Sequence, residues 1–182
     1  MKTLAILLAF FFILKVNSAD AQSFTTSTGE IIFTSKASKL TFNGSSKQLQ
    51  GLIDFDKSLV DFYLDLASLK TGNRLRDKHM RDNYLEVSKY PFAEFTGSIT
   101  SPFDLQSKAS QEVIVEGEFT IHGVTKSISV SGTLQQEGTN LLLNASWKVK
   151  LGDYNIGIPK LMFLELSETQ DVSISATLSS QN

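Results

Sequence analysis

The chain has no cysteine. A disulfide is therefore excluded, as are a thiolate metal site and a lipid-anchored cysteine, and the fold must rest on its core alone. Histidine is nearly absent too, with His79 and His122 the only two among 182 residues. A zinc site built on them would need carboxylates to complete it, and a serine hydrolase would need a Gly-x-Ser-x-Gly elbow, which the chain lacks. No GxGxxG or P-loop stretch occurs either, so neither dinucleotide nor P-loop nucleotide chemistry has support in the sequence. The formal charge is only −2, and no nucleic-acid partner is expected from so weak and negative a balance. The one long hydrophobic run, residues 4–14, falls short of the roughly 20 residues that a membrane-spanning helix needs. These absences leave no catalytic residue, metal or cofactor to nominate.

What the chain has in abundance is alternation. Val113, Val115, Gly117, Phe119 and Ile121 fall on one side of an extended segment, and Ile114, Glu116, Glu118, Thr120 and His122 fall on the other. Val60, Phe62, Leu64 and Leu66 repeat the pattern, as do Ala93, Phe95, Gly97 and Ile99, and then Ile128, Val130, Gly132 and Leu134. Leu141, Leu143, Ala145, Trp147 and Val149 form a fifth set, and Val172, Ile174, Ala176 and Leu178 a sixth. A period of two means strands with one dry face, and so many in succession need a common interior. A closed barrel or a sandwich supplies one.

The first 21 residues stand apart. Lys2 gives a positive start, residues 4–14 are continuously apolar, and Ala19-Asp20-Ala21 fits the small-x-small cleavage rule, so an export signal cut after Ala21 is expected, with a periplasmic or secreted product. Residues 22–182 are then one domain's worth, on a rule of about 100–200 residues per domain.

Along that domain, residues 30–37 read as a first strand after an exposed start, and 40–42 as a short strand ended by a turn at Asn43-Gly44. Strands over 48–55 and 59–69 follow. Leu75, Met80, Tyr84 and Leu85 fall at helical spacing, which predicts a short helix over 75–84 lying across one end of the sheet. Extended structure resumes at Pro91 and continues to 100. His122-Gly123 suits a two-residue hairpin turn, which pairs Ile121 with Val124, Phe119 with Lys126 and Gly117 with Ile128. Strands over 141–150 and 168–178 close the set, with 152–159 irregular.

The segment 68–91, Ser-Leu-Lys-Thr-Gly-Asn-Arg-Leu-Arg-Asp-Lys-His-Met-Arg-Asp-Asn-Tyr-Leu-Glu-Val-Ser-Lys-Tyr-Pro, resembles the signature of the YceI-like family. So do Thr120-Ile-His-Gly-Val-Thr-Lys126 and Leu151-Gly-Asp-Tyr-Asn-Ile-Gly-Ile-Pro159, in the same order and at similar spacing. The chain departs from the pattern in lacking an arginine within residues 150–154, and in an unusually apolar stretch at 160–165. The resemblance implies an all-β fold, an extended antiparallel eight-stranded lipocalin-like barrel with a short helix across one end. It also implies export to the periplasm, a polyisoprenoid, isoprenoid quinone or similar lipid held in an apolar tunnel, and a loose link to stress-related roles.

An eight-stranded barrel is wide enough either to be filled by side chains or to hold one slender ligand, and the residues alone fit both outcomes. Strands of about ten residues tilted near 40° give a barrel about 25 Å high, which suits an extended chain. With the tunnel that the resemblance implies, the candidate ligand-binding residues are Phe62, Leu64, Leu66, Met80, Phe95, Ile99, Phe119, Ile121, Val130 and Trp147. Arg76, His79 and Lys126 are candidates for the tunnel mouth or a head group. Lys70, Arg74, Arg76, Lys78, Arg81 and Lys89 outnumber Asp77, Asp82 and Glu86 in segment 70–89. That patch suits a phosphate or a transient membrane-surface contact, or is simply a solvated helix with paired charges. A homodimer stays open. The alternative reading is a secreted lipid-modifying enzyme that uses His79 or Lys126 at the barrel mouth.

Overall fold

The computed structural model describes residues 23–37, 40–161 and 164–181. The expected export signal lies outside the described residues, as do the side chains of 160–165.

Eight antiparallel strands form one closed barrel: β1 (Ser23–Ala37), β2 (Leu40–Asp54), β3 (Leu59–Asp65), β4 (Phe92–Ile99), β5 (Gln111–Ile121), β6 (Val124–Glu137), β7 (Asn140–Lys150) and β10 (Thr169–Ser180). Around the ring the order is β1-β10-β7-β6-β5-β4-β3-β2, and a two-residue pair, β8 (Lys160–Leu161) with β9 (Leu164–Glu165), stands outside it. The inward positions of the alternation are the ones buried. Val113, Leu134, Leu141 and Leu178 are among the least exposed residues. The β5–β6 hairpin has the register that its two-residue loop dictates, Ile121 opposite Val124 and Phe119 opposite Lys126. His122 and Gly123 both have positive φ, 55° and 71°, as a primed turn requires.

Two readings of the N-terminal half are corrected. β1 starts at Ser23 rather than near residue 30, with Phe24 buried at 4% exposure. Irregularities in the β1–β2 pairing between Thr26 and Ile31 shift the inward phase from Phe24 to Ile31 and Phe33, which erases the simple alternation. Asn43-Gly44 is not a turn either, because β2 runs unbroken through it with Gly44 opposite Phe33. A Cβ at Gly44 would lie 2.1 Å from the Phe33 ring. The glycine is there to let that ring lie over the strand.

The chain between β3 and β4 covers one end of the barrel. Asn73 caps α1 (Arg74–His79) by accepting from the amides of Leu75 and Arg76, and a wider turn over Met80–Tyr84, in which the Leu85 amide donates to the Met80 carbonyl, completes the predicted helical stretch. Strand β3 stops at Asp65, so the predicted extension to residue 69 is instead a single 3-10 turn, Leu66–Ser68, that turns the chain toward α1. The opposite end is sealed by stacked Phe55 and Phe103, with Phe24 edge-on to Phe55. Among the described residues no helix is long and apolar enough to cross a membrane.

On the outer surface Asp171 of β10 binds Lys148 of β7 and, at 2.7 Å, Lys36 of β1, tying three adjacent strands. The Lys148 hydrogen bond, followed by that of Lys36, lowers Asp171 from 3.8 to about 2. A folded-state pKa below the unfolded one means that this contribution is full above about pH 4 and is lost as pH falls toward 2. The urea midpoint of wild type is expected to exceed that of Asp171→Asn at pH 6, with the gap closing by pH 2. A gap independent of pH contradicts this.

Candidate functional site

The barrel interior is not solid. It encloses a cavity of about 80 Å3 whose walls are all apolar, from Ile31 on β1 and Ile53 on β2 to Trp147 on β7 and Ile174 on β10. Among the small inward residues Ala145 lines this space, whereas Gly132 opposite it, and Gly97 facing Gly117 across β4–β5, lie where neighbouring backbone approaches too closely for a Cβ. The volume is roughly half that of an engineered apolar cavity of about 150 Å3 that admits benzene. The bore therefore accommodates a short stretch of chain as it stands, and a longer one only if wall side chains turn aside.

The wall is unpaired along part of the β6–β7 seam. Strands β6 and β7 pair only from Ser131–Ser146 to Glu137–Asn140, although β6 stays on β5 down to Val124 and β7 stays on β10 up to Lys150. Residues 127–130 thus face 147–150 across a slot at the helix-bearing end, with Trp147 and Val130 at its edges. The lower end of the slot is tied by His122. Its Nδ1 donates to the Tyr154 carbonyl (3.1 Å), its Nε2 hydrogen-bonds Glu86 (2.7 Å), and the Tyr90 ring lies edge-on at 4.7 Å. His122, Glu86 and Asn155 all hold positive φ, which neighbours must enforce. Behind this tie the Leu151–Tyr154 turn presses Tyr154 against Phe119, and burial, with the Asp153 charge adding, pushes the Tyr154 hydroxyl up so that it stays neutral.

Of the ten candidate ligand-binding residues, Phe62, Phe95, Ile99, Phe119, Val130 and Trp147 line the cavity. Leu64 and Leu66 are buried core residues outside its lining, and Ile121 and Met80 pack against the core nearby. The mouth residues do not converge. Arg76 is held by Thr71, its Nε donating to the hydroxyl at 2.8 Å and its NH2 to the carbonyl at 2.7 Å, and its guanidinium lies 4.2 Å over the Phe42 ring. It fastens α1 to β2. Burial would raise the Asp77 carboxyl, but hydrogen bonds from the Thr71 hydroxyl and amide outweigh that and hold it below its usual range. His79 and Lys126 are exposed, and Lys126 sits beside the slot on β6. Among the described residues no three His, Asp or Glu side chains gather to hold a metal.

Alternation placed Ala145 and Ile174 on the dry face, where both line the cavity, although neither was among the candidate ligand-binding residues; Ile31 it did not single out. Nor did it suggest that His122, a turn residue by sequence, is a buried tether; its place beside Gly123 in the resembling motif was the only signal. A second hollow, about 630 Å3, lies on the outside of the barrel among outward-facing Glu30, Glu112, Ser131, Asn144 and Ser173. It is larger but open to solvent and mixed in lining, with Ile32 and Ile114 beside those polar groups, and the apolar bore is the better ligand site.

His122→Ala removes two hydrogen bonds, one of them to a carboxylate, and is expected to cost about 1–3 kcal/mol in urea unfolding. It should also speed hydrogen exchange at the Asn155 and Ile156 amides. Unchanged exchange there would show that the slot is held by something else.

Residues 19–178 match the YceI-like domain. The chain is 32% identical to a UPF0312 protein of Photorhabdus laumondii and 30% identical to protein YceI of Escherichia coli O157:H7, in each case over 62% of this chain and 62% of the relative. The chain thus spans a little under two thirds of the length of these relatives. The barrel superposes with a TM-score of 0.72 on a polyisoprenoid binding domain from Saccharophagus degradans implicated in plant cell wall breakdown, at 19% identity, covering 88% of this chain and 99% of that one. With the eight-stranded barrel, its helical end cover and the residue motifs at 68–91, 120–126 and 151–159 all in place, the chain belongs to the YceI-like family.

Proposed function

We propose that this is an exported, non-enzymatic binding protein that sequesters or carries a long hydrophobic ligand, a polyisoprenoid, isoprenoid quinone or similar amphiphile, inside the barrel. The observation that carries the reading is the enclosed bore whose lining contains no polar residue other than a tryptophan. Such a wall rejects ions and small polar molecules, since each polar group taken in without a partner costs several kcal/mol. The leader-like residues 1–21 support export, and the solved neighbour that is a polyisoprenoid binding domain supports the ligand class.

Energetics favour a long chain over a short one. About ten buried methylenes contribute on the order of 8 kcal/mol, against association costs of about 4–15 kcal/mol. Turning a wall side chain off its preferred rotamer costs about 0.5–1.5 kcal/mol, less than two methylenes return. Widening the bore by moving Phe62, Phe95 or Phe119 is therefore affordable for a chain that fills the space. Exposed Lys70, Arg74 and Lys78 at the helix-bearing end suit a brief contact with an anionic membrane surface during loading.

Organic extraction of protein purified from its native host, read by mass spectrometry, is expected to yield a long-chain lipid near one equivalent. Ala145→Leu fills the bore and is expected to reduce that yield several-fold with the circular dichroism spectrum unchanged. Recovery of no lipid from wild type, or equal recovery from the variant, contradicts the proposal.

A further inference from the structure

Among the described residues three buried side-chain polar atoms have no hydrogen-bond partner: Ser35 Oγ, Gln136 Oε1 and Trp147 Nε1. Trp147 alone of the three lines the bore. Its indole stands edge-on to Phe119, with ring centroids 5.9 Å apart, at the edge of the slot where β6 leaves β7. An indole nitrogen can only donate, so the missing partner is an acceptor. A water would need two to four polar partners, and the remaining lining of the bore supplies none. Nε1 is covered in this structure, so its acceptor comes with an entering chain that turns wall side chains aside.

From this we infer that Trp147 is a specificity-determining residue whose Nε1–H donates to an oxygen of the bound chain, so that the site prefers long apolar ligands bearing a carbonyl or ether oxygen over plain hydrocarbons. This rests on the chain-binding reading above and adds to it the chemistry of one end of the ligand. A donor left unpaired in an apolar site disfavours a ligand that cannot satisfy it, whereas one that can both fills the space and relieves the donor. The slot beside Trp147 places this contact near the helix-bearing end, with the oxygen-bearing end of the ligand next to the opening and the hydrocarbon running toward the end sealed by Phe55 and Phe103.

Trp147 is the sole tryptophan, so its emission reports on the site without interference. The test compares geranylgeranylacetone, a prenyl ketone, with the hydrocarbon in which its C=O is replaced by CH2, measuring affinity by equilibrium dialysis with mass-spectrometric quantitation. Wild type is expected to bind the ketone about tenfold more tightly, and the ketone but not the hydrocarbon should shift the Trp147 emission to longer wavelength. Trp147→Phe keeps an aromatic wall without the donor and is expected to bind both probes with similar affinity. Equal affinities in wild type, or a preference for the ketone that survives in Trp147→Phe, overturn the inference while leaving chain binding intact. Failure of both probes to bind wild type overturns the chain-binding reading and this inference with it. The emission shift is measured on wild type alone, so it decides the question even if the variant fails to fold.

Discussion

Everything in this molecule follows from making one face of eight strands dry and closing the sheet on itself. With no cysteine to staple it, stability comes from packing the inward side chains against one another. At eight strands the interior is close to the limit at which side chains fill it, so a few small residues decide whether anything else fits. Ala145 stands at that margin and lines the narrow bore, while Gly97, Gly117 and Gly132 let neighbouring strands approach so closely that a Cβ would meet backbone oxygen at 2.4–2.6 Å. Elsewhere the filling is complete, with Leu141 and Leu178 fully buried near the aromatic seal at the far end.

The two ends are built differently. One is plugged by ring stacking and hydrophobic side chains. The other is assembled from chain segments held by polar tethers: α1 by Arg76 and Asp77 acting through Thr71, and the Leu151–Tyr154 turn by His122. Packed apolar groups give way only as a whole, whereas a few hydrogen bonds beside an unpaired stretch of sheet can open locally. The slot between β6 and β7 therefore lies at the end best able to move.

The sequence disclosed the parts of this design that repeat. The inward residues of β3 to β7 and β10 were legible because their phase never slips, and the β5–β6 register because a two-residue turn permits only one. The β1–β2 half was not, because irregular pairing between Thr26 and Ile31 changes the phase, and because Gly44 serves a ring rather than a turn. The helix was legible from apolar spacing, yet the role of Arg76 was not, since its partners Thr71 and Phe42 meet it only in three dimensions. Alternation runs through residues 124–130 and 147–150 with a single break, Lys126 on the inward phase of β6, so little in the pattern marks where those strands part. The unpartnered indole of Trp147 is likewise a property of the folded wall.

The central claim is that the bore is a place for a chain and not a packing defect. A crystal structure of the protein isolated from its native host tests it most directly. The account predicts elongated density inside the barrel, beginning beside Trp147, with Phe62, Phe95 and Phe119 turned away to make room. A bore that stays at about 80 Å3 with those rings in place and no density within it would contradict the account.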